Sequence, residues 1–241
     1  MLIEFAGLPG SGKTTVTRLL AQHLINAKIT VSGAEDLAID TSREERLPRY
    51  LRARPDRTLL HRYIRFQRRN AELETLTRNA FDDAPIRHLL FAMMAASHQG
   101  ARDISRADEV VVMDEGFVSH AVATFFDAPD MEGFERFVAL APPSDLVIGL
   151  DLRPETAFKR VILRNEESQN DADAHDRAVQ KFGDAAAFGR RRDMFQQALG
   201  VYSSRNIEVM HFDTEALAAE DIAQKIFDTV TTGSVAKSEQ V

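Results

Sequence analysis

Hydrophobic residues occur along this chain in two alternating patterns, short continuous runs and longer segments with helical spacing. The short runs predict five β-strands, at residues 2–6, 28–32, 109–113, 146–150 and 207–212. Two of the runs, EVVVM and LVIGL, are uninterrupted and bounded by polar residues, which is typical of strands buried on both faces of a parallel sheet. Apolar residues at helical spacing predict helices at residues 12–26, 117–126, 154–164 and 216–230.

The order of these elements predicts the fold class. Strands and helices alternate, which favours an α/β protein with a doubly wound, parallel, five-stranded sheet flanked by helices. Residues 43–99 show only helical spacing, so we expect a helical insertion at about residues 40–100. A chain of 241 residues suits one domain, predicted at residues 1–231, and residues 232–241 are expected to form a flexible tail.

The composition of the chain bears on where in the cell the protein is expected to occur. The chain has no cysteine, which excludes disulfides and thiolate metal or redox sites. No apolar stretch reaches the roughly 18 to 20 residues that span a bilayer. The first residues lack the charged segment and cleavage site of a secretory signal. We therefore expect a cytoplasmic protein with no membrane span.

Arginine is concentrated in one part of this acidic chain. Ten arginines and three acidic residues lie between Arg43 and Arg69, a local net charge of +7 in a chain whose net charge is −7. We expect this segment to contact a small molecule that carries an anionic group. Nucleic acid is not an expected partner, because the whole chain is acidic and aromatic residues are not interleaved as stacking platforms.

The first predicted strand runs directly into a glycine-rich loop. Residues 7–14, GLPGSGKT, match G-x-x-x-x-G-K-[ST] at every fixed position, between a predicted strand and a predicted helix. Such a loop turns its N–H groups inward, and the helix N-terminus adds partial positive charge, so it suits a polyphosphate. The residues expected to contact ATP are Gly7, Pro9, Gly10, Ser11, Gly12, Lys13, Thr14 and Thr15. Lys13 would reach the β- and γ-phosphates, and the Thr14 hydroxyl would bind Mg²⁺.

Phosphate chemistry also needs a carboxylate near the metal, at the end of a buried strand. Asp114 follows EVVVM and is the preferred candidate for this role. Asp151 follows LVIGL and is the competitor, although capping of the next helix is the favoured role for it.

Three classes of nucleotide-binding enzyme share this kind of loop. A GTPase would need the tetrapeptide Asn-Lys-x-Asp after a strand, and the sequence contains none. An ATPase that couples hydrolysis to a partner stays open, because Glu115 directly follows Asp114 and could activate water. A kinase is the third class.

A segment further along the chain favours the kinase. In residues 149–164, GLDLRPETAFKRVILR, a strand end is followed by Pro-Glu at the start of a helix and then by two arginines. This pattern resembles the thymidylate kinase-like branch of the P-loop nucleoside and nucleotide kinases. The resemblance covers about the first 30 residues and most of the region from 107 to 230. It implies the P-loop NTPase fold and a helical insertion that binds the acceptor, and it allows a homodimer.

The same resemblance implies a lid at about residues 160–192, whose arginines hold the transferring phosphoryl group. Arg160 and Arg164 would be catalytic residues that also contact ATP. They would be joined by one or more of Arg190, Arg191 and Arg192. Planar guanidinium groups suit the charge that is spread over the phosphoryl oxygens.

A hydroxyl acceptor is helped by a carboxylate that takes its proton. Glu35 and Asp36 follow the second predicted strand, at the sheet edge where ligands bind in such folds, and Glu115 is the third candidate. The predicted reaction is Mg²⁺-dependent transfer of the ATP γ-phosphoryl group to a small acceptor. A nucleoside or nucleotide is the first choice of acceptor, and another metabolite hydroxyl is the second.

Overall fold

The computed structural model describes residues 1–32, 57–80, 85–104, 109–126, 130–169 and 174–238. The strands are β1 Leu2–Gly7, β2 Thr30–Ser32, β3 Glu109–Met113, β4 Leu146–Asp151 and β5 Glu208–Asp213. The first described helices are α1 Lys13–Asn26, α2 Arg57–Arg69, α3 Ala71–Ala80, α4 Pro85–Ile104 and α5 Phe117–Phe125. Those that follow are α6 Met131–Leu140, α7 Pro154–Gln169, α8 Ala174–Phe182, α9 Ala185–Ser204 and α10 Ala219–Ser238.

The five strands form one parallel sheet in the order β2-β3-β1-β4-β5. In the register, Glu4 of β1 lies opposite Met113 of β3 and Val147 of β4. The predicted five-stranded α/β sheet of the P-loop NTPase fold is confirmed. Because β1 is central and the connections leave it in both directions, the crevice beyond its carboxyl end is where such folds bind ligands.

Hydrophobic side chains cover both faces of the sheet. On one face, Ile3 and Phe5 pack with Val16 and Leu20 of α1 and with Ile222 of α10. On the other face, the core is formed by α5, α6, α7 and α9 together with parts of the helical insertion. Every residue of β1 is buried, so the loop that follows it starts from a fixed point.

The helical insertion is joined to this second face by aromatic rings. Phe66 of α2 stacks on Phe117 at the start of α5, with ring centroids 5.7 Å apart. Phe91 of α4 meets both rings edge-on, at 6.0 Å from Phe66 and 6.5 Å from Phe117. All three side chains are fully buried. The insertion is therefore packed against the helix that follows β3.

Several element boundaries differ from the predicted ones for local reasons. The second strand begins at Thr30 because Lys28, with φ 63°, closes the end of α1 through a turn. The closing helix begins at Ala219 because the Asp213 carboxylate accepts hydrogen bonds from the next residues and holds them in a turn. It continues to Ser238, into the predicted tail, whose flexibility stays a prediction.

Three helices, α6, α8 and α9, have no counterpart among the predicted helices. α6 begins after Asp130, whose side chain accepts a hydrogen bond from Gly133 N at 2.8 Å and so caps the helix. Within the described ranges, no helix is long and apolar enough to cross a membrane.

Candidate functional site

The glycine-rich loop connects β1 to α1 through glycines in the left-handed backbone conformation. Gly10 has φ +83° and Gly12 has φ +89°, conformations that glycine adopts without strain. Gly7, with φ +149°, lies so close to β4 that a Cβ there would overlap the carbonyl oxygen of Leu150. The loop closes on itself where Ser11 N donates to Leu8 O at 3.1 Å. The glycines in the motif are therefore required by backbone geometry and by close packing.

The loop has features that fit a bound anion. A Cβ on Gly12, at the N-terminus of α1, would meet no atom within 4 Å, so the space in front of the helix is open. The Ser11 hydroxyl is buried and has no hydrogen-bond partner among the described residues. The first N–H groups of a helix and an unsatisfied hydroxyl can donate to phosphate oxygens. The residues present thus fit a nucleotide phosphate.

Lys13 folds back over the loop. Its Nζ donates to Gly7 O at 2.7 Å and to Leu8 O at 3.1 Å. This places the ammonium group beside the first residues of the loop, within reach of a phosphate bound there. Thr14 is half-buried in the first turn of α1, and Thr15 is exposed.

Asp114 and Glu115 lie at the same edge of the sheet as the loop. β3 pairs with β1 and ends at Met113, so Asp114 is the first residue beyond the strand adjacent to β1. Asp114 is half-buried and Glu115 is exposed. Parallel strands end at a common edge, and this brings the predicted metal carboxylate to the side of the sheet that carries the loop.

Asp151, the competing carboxylate, is engaged by another side chain. Arg192 of α9 donates from Nε to Oδ1 at 2.7 Å and from Nη2 to Oδ2 at 2.5 Å. The Arg192 hydrogen bonds hold the pKa of Asp151 below its usual range. The two-pronged pair ties the end of β4 to α9. Capping of the next helix was the role favoured for Asp151. In the structure its carboxylate is paired with Arg192 of α9.

Of the predicted lid arginines, Arg160 lies at the loop. Its Nη1 is 3.4 Å from Gly10 O, and α7 packs so tightly here that a Cβ on Gly10 would lie 2.9 Å from Ala157 O. Arg164 is one helical turn further along α7 and is exposed. Four residues apart, the two arginines share one face of the helix.

The other lid candidates have contacts away from the loop. The Arg191 guanidinium lies 3.9 Å from the Phe126 ring centroid and donates to Phe182 O. Arg190 lies 5.4 Å from the same ring. Helices α7 and α8 cover much of the segment between the two arginine groups, and residues 170–173 lie outside the described part of the chain.

The arginine-rich segment is described only in part. Glu35 and Asp36 lie outside the described residues, as do the arginines from 43 to 54. In α2, Arg65 forms an ion pair with Asp103, and the Arg62 guanidinium packs against Gly100. These two arginines face α4, so their contacts are structural.

Two buried carboxylates were missed by the sequence predictions. Glu74 of α3 accepts hydrogen bonds from the Tyr63 hydroxyl at 2.8 Å and from Gln67 Nε2 at 3.0 Å. Glu4 of β1 is fully buried and accepts hydrogen bonds from Val118 N and the Ser144 hydroxyl. The signal for Glu4 was present in the sequence, as one charged residue inside an otherwise apolar strand.

No cluster of three or more histidine, aspartate or glutamate side chains that could hold a metal ion occurs in the described ranges. Mg²⁺ in phosphoryl-transfer sites is commonly held by one or two protein ligands together with substrate phosphates. Thr14 and Asp114 offer a ligand set of that size.

Comparison with known proteins gives a fold and no family. No protein-family model matches the chain, and no curated protein matches its sequence. Two solved structures of a deoxyadenosine kinase from M. mycoides are similar in fold. The one with dCMP and dCDP as products has a TM-score of 0.52 and 11% identity, covering 96% of this chain and 100% of that one. The one with dATP bound has a TM-score of 0.53 and 12% identity, covering 96% and 99%. At 11–12% identity this likeness shows the fold, and it does not place the chain in the thymidylate kinase-like branch.

Proposed function

We propose that this protein is an ATP-dependent phosphotransferase that moves the γ-phosphoryl group to a nucleoside. The observation that carries the proposal is the open glycine-rich loop, which has Lys13 folded over it and Arg160 at its rim. Asp114 follows the neighbouring strand at the same sheet edge. Together they supply donors for phosphate oxygens and a carboxylate for a metal.

Each group has a role in the proposed reaction. The loop amides, from Gly10 to Thr14, bind the phosphates of ATP, and Lys13 moves from its carbonyl partners to the phosphate tail. Thr14 and Asp114 would hold Mg²⁺, which would supply positive charge to neutralise the phosphate oxygens. Arg160, assisted by Arg164, stabilises the charge on the transferring group because guanidinium donors match its planar oxygens.

The base that accepts the proton from the acceptor hydroxyl is one of three carboxylates. Glu115 is exposed next to Asp114 and is the candidate among the described residues. Glu35 and Asp36 remain candidates from their place in the sequence after β2. Separate Glu35→Gln, Asp36→Asn and Glu115→Gln variants would assign the role by the loss of kcat at unchanged KM for ATP.

A nucleoside is preferred to a nucleotide as acceptor for two reasons. The similar solved structures are of a deoxyadenosine kinase. Two of the arginines expected to bind an anionic acceptor, Arg62 and Arg65, instead contact α4. The thymidylate kinase-like branch stays a resemblance, and the cytoplasmic location and possible homodimer stay predictions. The anionic acceptor expected from the arginine-rich segment is the alternative to a nucleoside.

The test is acceptor-dependent formation of ADP. Purified protein with ATP and Mg²⁺ would be assayed against deoxyadenosine, deoxycytidine, dCMP, dTMP and a hexose, with Lys13→Ala as the control. The proposal expects ADP to form with a nucleoside and not without an acceptor. Steady ADP release without an acceptor would instead favour an ATPase, for which the exposed Glu115 beside Asp114 is the supporting observation. ADP formation with the hexose alone would identify a kinase of another metabolite.

A further inference from the structure

Glu4 is a charged residue in the middle of the sheet. It belongs to the central strand β1, every residue of which is buried, and its own exposure is 0%. Its neighbours in the register are Met113, the last residue of β3, and Val147 of β4. A carboxylate in such a place is costly unless hydrogen bonds satisfy it. The cost suggests that Glu4 has a task that an aliphatic residue in β1 would not perform.

The Glu4 carboxylate is bound at both oxygens. Oε1 accepts a hydrogen bond from Val118 N at 2.8 Å, and Oε2 accepts one from the Ser144 hydroxyl at 3.0 Å. The Gly116 backbone lies directly against the carboxylate, since a Cβ at that position would overlap Glu4 Cδ. The Tyr202 hydroxyl is also buried, and the Glu4 charge adds to burial in raising the pKa of Tyr202.

These contacts give Glu4 the function of a helix cap. Helix α5 begins at Phe117, and the residue in the N-cap position is Gly116, which has no side chain to accept a hydrogen bond. The N–H of Val118 is one of the amides that an N-cap side chain normally satisfies. Glu4 supplies the missing acceptor from another element of the fold. The space for that carboxylate exists because residue 116 is a glycine.

The capped helix end carries the candidate metal-binding turn. Asp114 and Glu115 lie between the end of β3 and Gly116, so they form a two-residue link. One end of the link is held by the β1–β3 pairing opposite Glu4, and the other is held by the Glu4 hydrogen bond to Val118 N. A short link with both ends fixed has few accessible conformations.

We propose that Glu4 is a positioning residue, which holds the Asp114–Glu115 turn in place by capping α5 from the central strand. The inference rests on the proposed function, because Asp114 is there the carboxylate that holds Mg²⁺. Glu4 acts through the turn and touches neither metal nor substrate. Burial raises the pKa of Glu4 to about 7, so desolvation outweighs the two hydrogen bonds. A group retained at that cost is consistent with a positioning role.

The test uses two substitutions at residue 4 and a matched control. Glu4→Leu removes both acceptor oxygens at similar volume, whereas Glu4→Gln retains an acceptor for Val118 N. The control is Asp145→Asn, because Asp145 also accepts from a backbone amide, Leu2 N at 2.7 Å, but at the start of β1. Each variant is examined by amide hydrogen exchange at Val118 and by the Mg²⁺ concentration that gives half-maximal turnover.

The proposal expects Glu4→Leu to lower the protection of the Val118 amide by about tenfold or more, since a buried donor loses its acceptor. The half-maximal Mg²⁺ concentration should rise about tenfold while KM for ATP at saturating Mg²⁺ changes less than about threefold. Glu4→Gln should restore both values to within about threefold of wild type. Asp145→Asn should alter neither.

Three results would overturn the inference. One is unchanged Val118 protection in Glu4→Leu, and another is an unchanged Mg²⁺ requirement despite lost protection. If Glu4→Leu does not fold, Gly116→Ala replaces it, because a methyl group there displaces the Glu4 carboxylate. The third result that would overturn the inference is a Gly116→Ala variant with wild-type Val118 protection and a wild-type Mg²⁺ requirement. Failure of the proposed function is seen separately, as wild-type protein that transfers no phosphoryl group while the exchange data still report the cap.

Discussion

Replacing Glu4 by glutamine should change how stability depends on pH. Burial raises the folded-state pKa of Glu4 from 4.5 to about 7. Between these values the folded protein binds a proton that the unfolded chain has released, so Glu4 makes the wild type progressively less stable as pH rises from 4.5 to 7. The shift of about 2.5 pH units corresponds to about 3 kcal/mol, because one unit is worth 1.36 kcal/mol. Glutamine does not titrate, so this loss is absent from the variant.

The assay is urea unfolding of wild type and Glu4→Gln at intervals from pH 4.5 to 8. The free energy of unfolding of the variant, relative to wild type, should increase by about 3 kcal/mol over this range, whatever its value at pH 4.5. Between pH 4.5 and neutral pH, the difference in Tm between the variant and wild type should therefore shift by roughly 6 to 12 °C in favour of the variant. Tyr202 does not interfere, because burial, reinforced by Glu4, raises its pKa and keeps it neutral.

Asp145→Asn is the control for this experiment. Burial would raise the pKa of Asp145, but the hydrogen bond from Leu2 N–H and the Arg102 guanidinium outweigh burial and lower it. Asp145 is therefore ionised in both folded and unfolded chains above about pH 5.5, and its removal should cost the same stability from pH 5.5 to 8. If Glu4→Gln also gave a difference that did not vary with pH, the claim that burial dominates the Glu4 carboxyl would be refuted.

Three further variants test the loop and its surroundings. Gly7→Ala should lower the free energy of unfolding by about 1–3 kcal/mol in urea denaturation, since φ is +149° and the added Cβ would overlap Leu150 O. Arg192→Gln and Asp151→Asn, alone and combined, should show a coupling energy of about 1 kcal/mol in a double-mutant cycle, as expected for a two-pronged, partly exposed pair. Lys13→Ala should lower kcat at least about 100-fold in an ADP-release assay.

Each of these variants has an outcome that contradicts its reasoning. Wild-type stability in Gly7→Ala would show that the loop can move away from β4. A coupling energy of zero between Arg192 and Asp151 would mean that the pair does not tie α9 to the sheet. Wild-type turnover in Lys13→Ala would show that Lys13 has no role in the phosphate site, provided that urea unfolding shows the variant to be folded.

The parts of the fold that follow from local chemistry were predictable. The runs EVVVM and LVIGL could be assigned as buried strands because nothing polar interrupts them, and the structure has strands at both. The loop could be placed because glycine, lysine and threonine occupy every fixed position of its motif. In both cases the information lies within a few consecutive residues.

The parts that depend on contacts between distant residues were not predictable. Val118 is 114 residues from the carboxylate that caps it, and α5 shows no capping residue of its own because the cap comes from β1. The resemblance made Arg192 a lid candidate together with Arg190 and Arg191, but in the structure its partner is Asp151, which is 41 residues away. The sequence shows which side chains can form hydrogen bonds, but which distant residues they pair with is determined by the packing of the helices and strands.

Electrostatic predictions from the local arginine density were similarly limited. The cluster between Arg43 and Arg69 indicated an anionic ligand, yet Arg65 is neutralised by Asp103 of α4. A count of charges along the chain does not include acids contributed by a neighbouring helix. In the structure, both Arg62 and Arg65 contact α4.

The central claim is that the loop at residues 7–14 binds the phosphates of ATP with Mg²⁺. It is tested most directly by isothermal titration of the purified protein with ATP in the presence of Mg²⁺, beside the same titration of Lys13→Ala and of wild type in EDTA. We expect wild type to bind one ATP per chain, with affinity that falls at least about tenfold when Lys13 is replaced and that weakens in EDTA. Absence of ATP binding by wild type with Mg²⁺, or equal affinity in Lys13→Ala, would contradict the account.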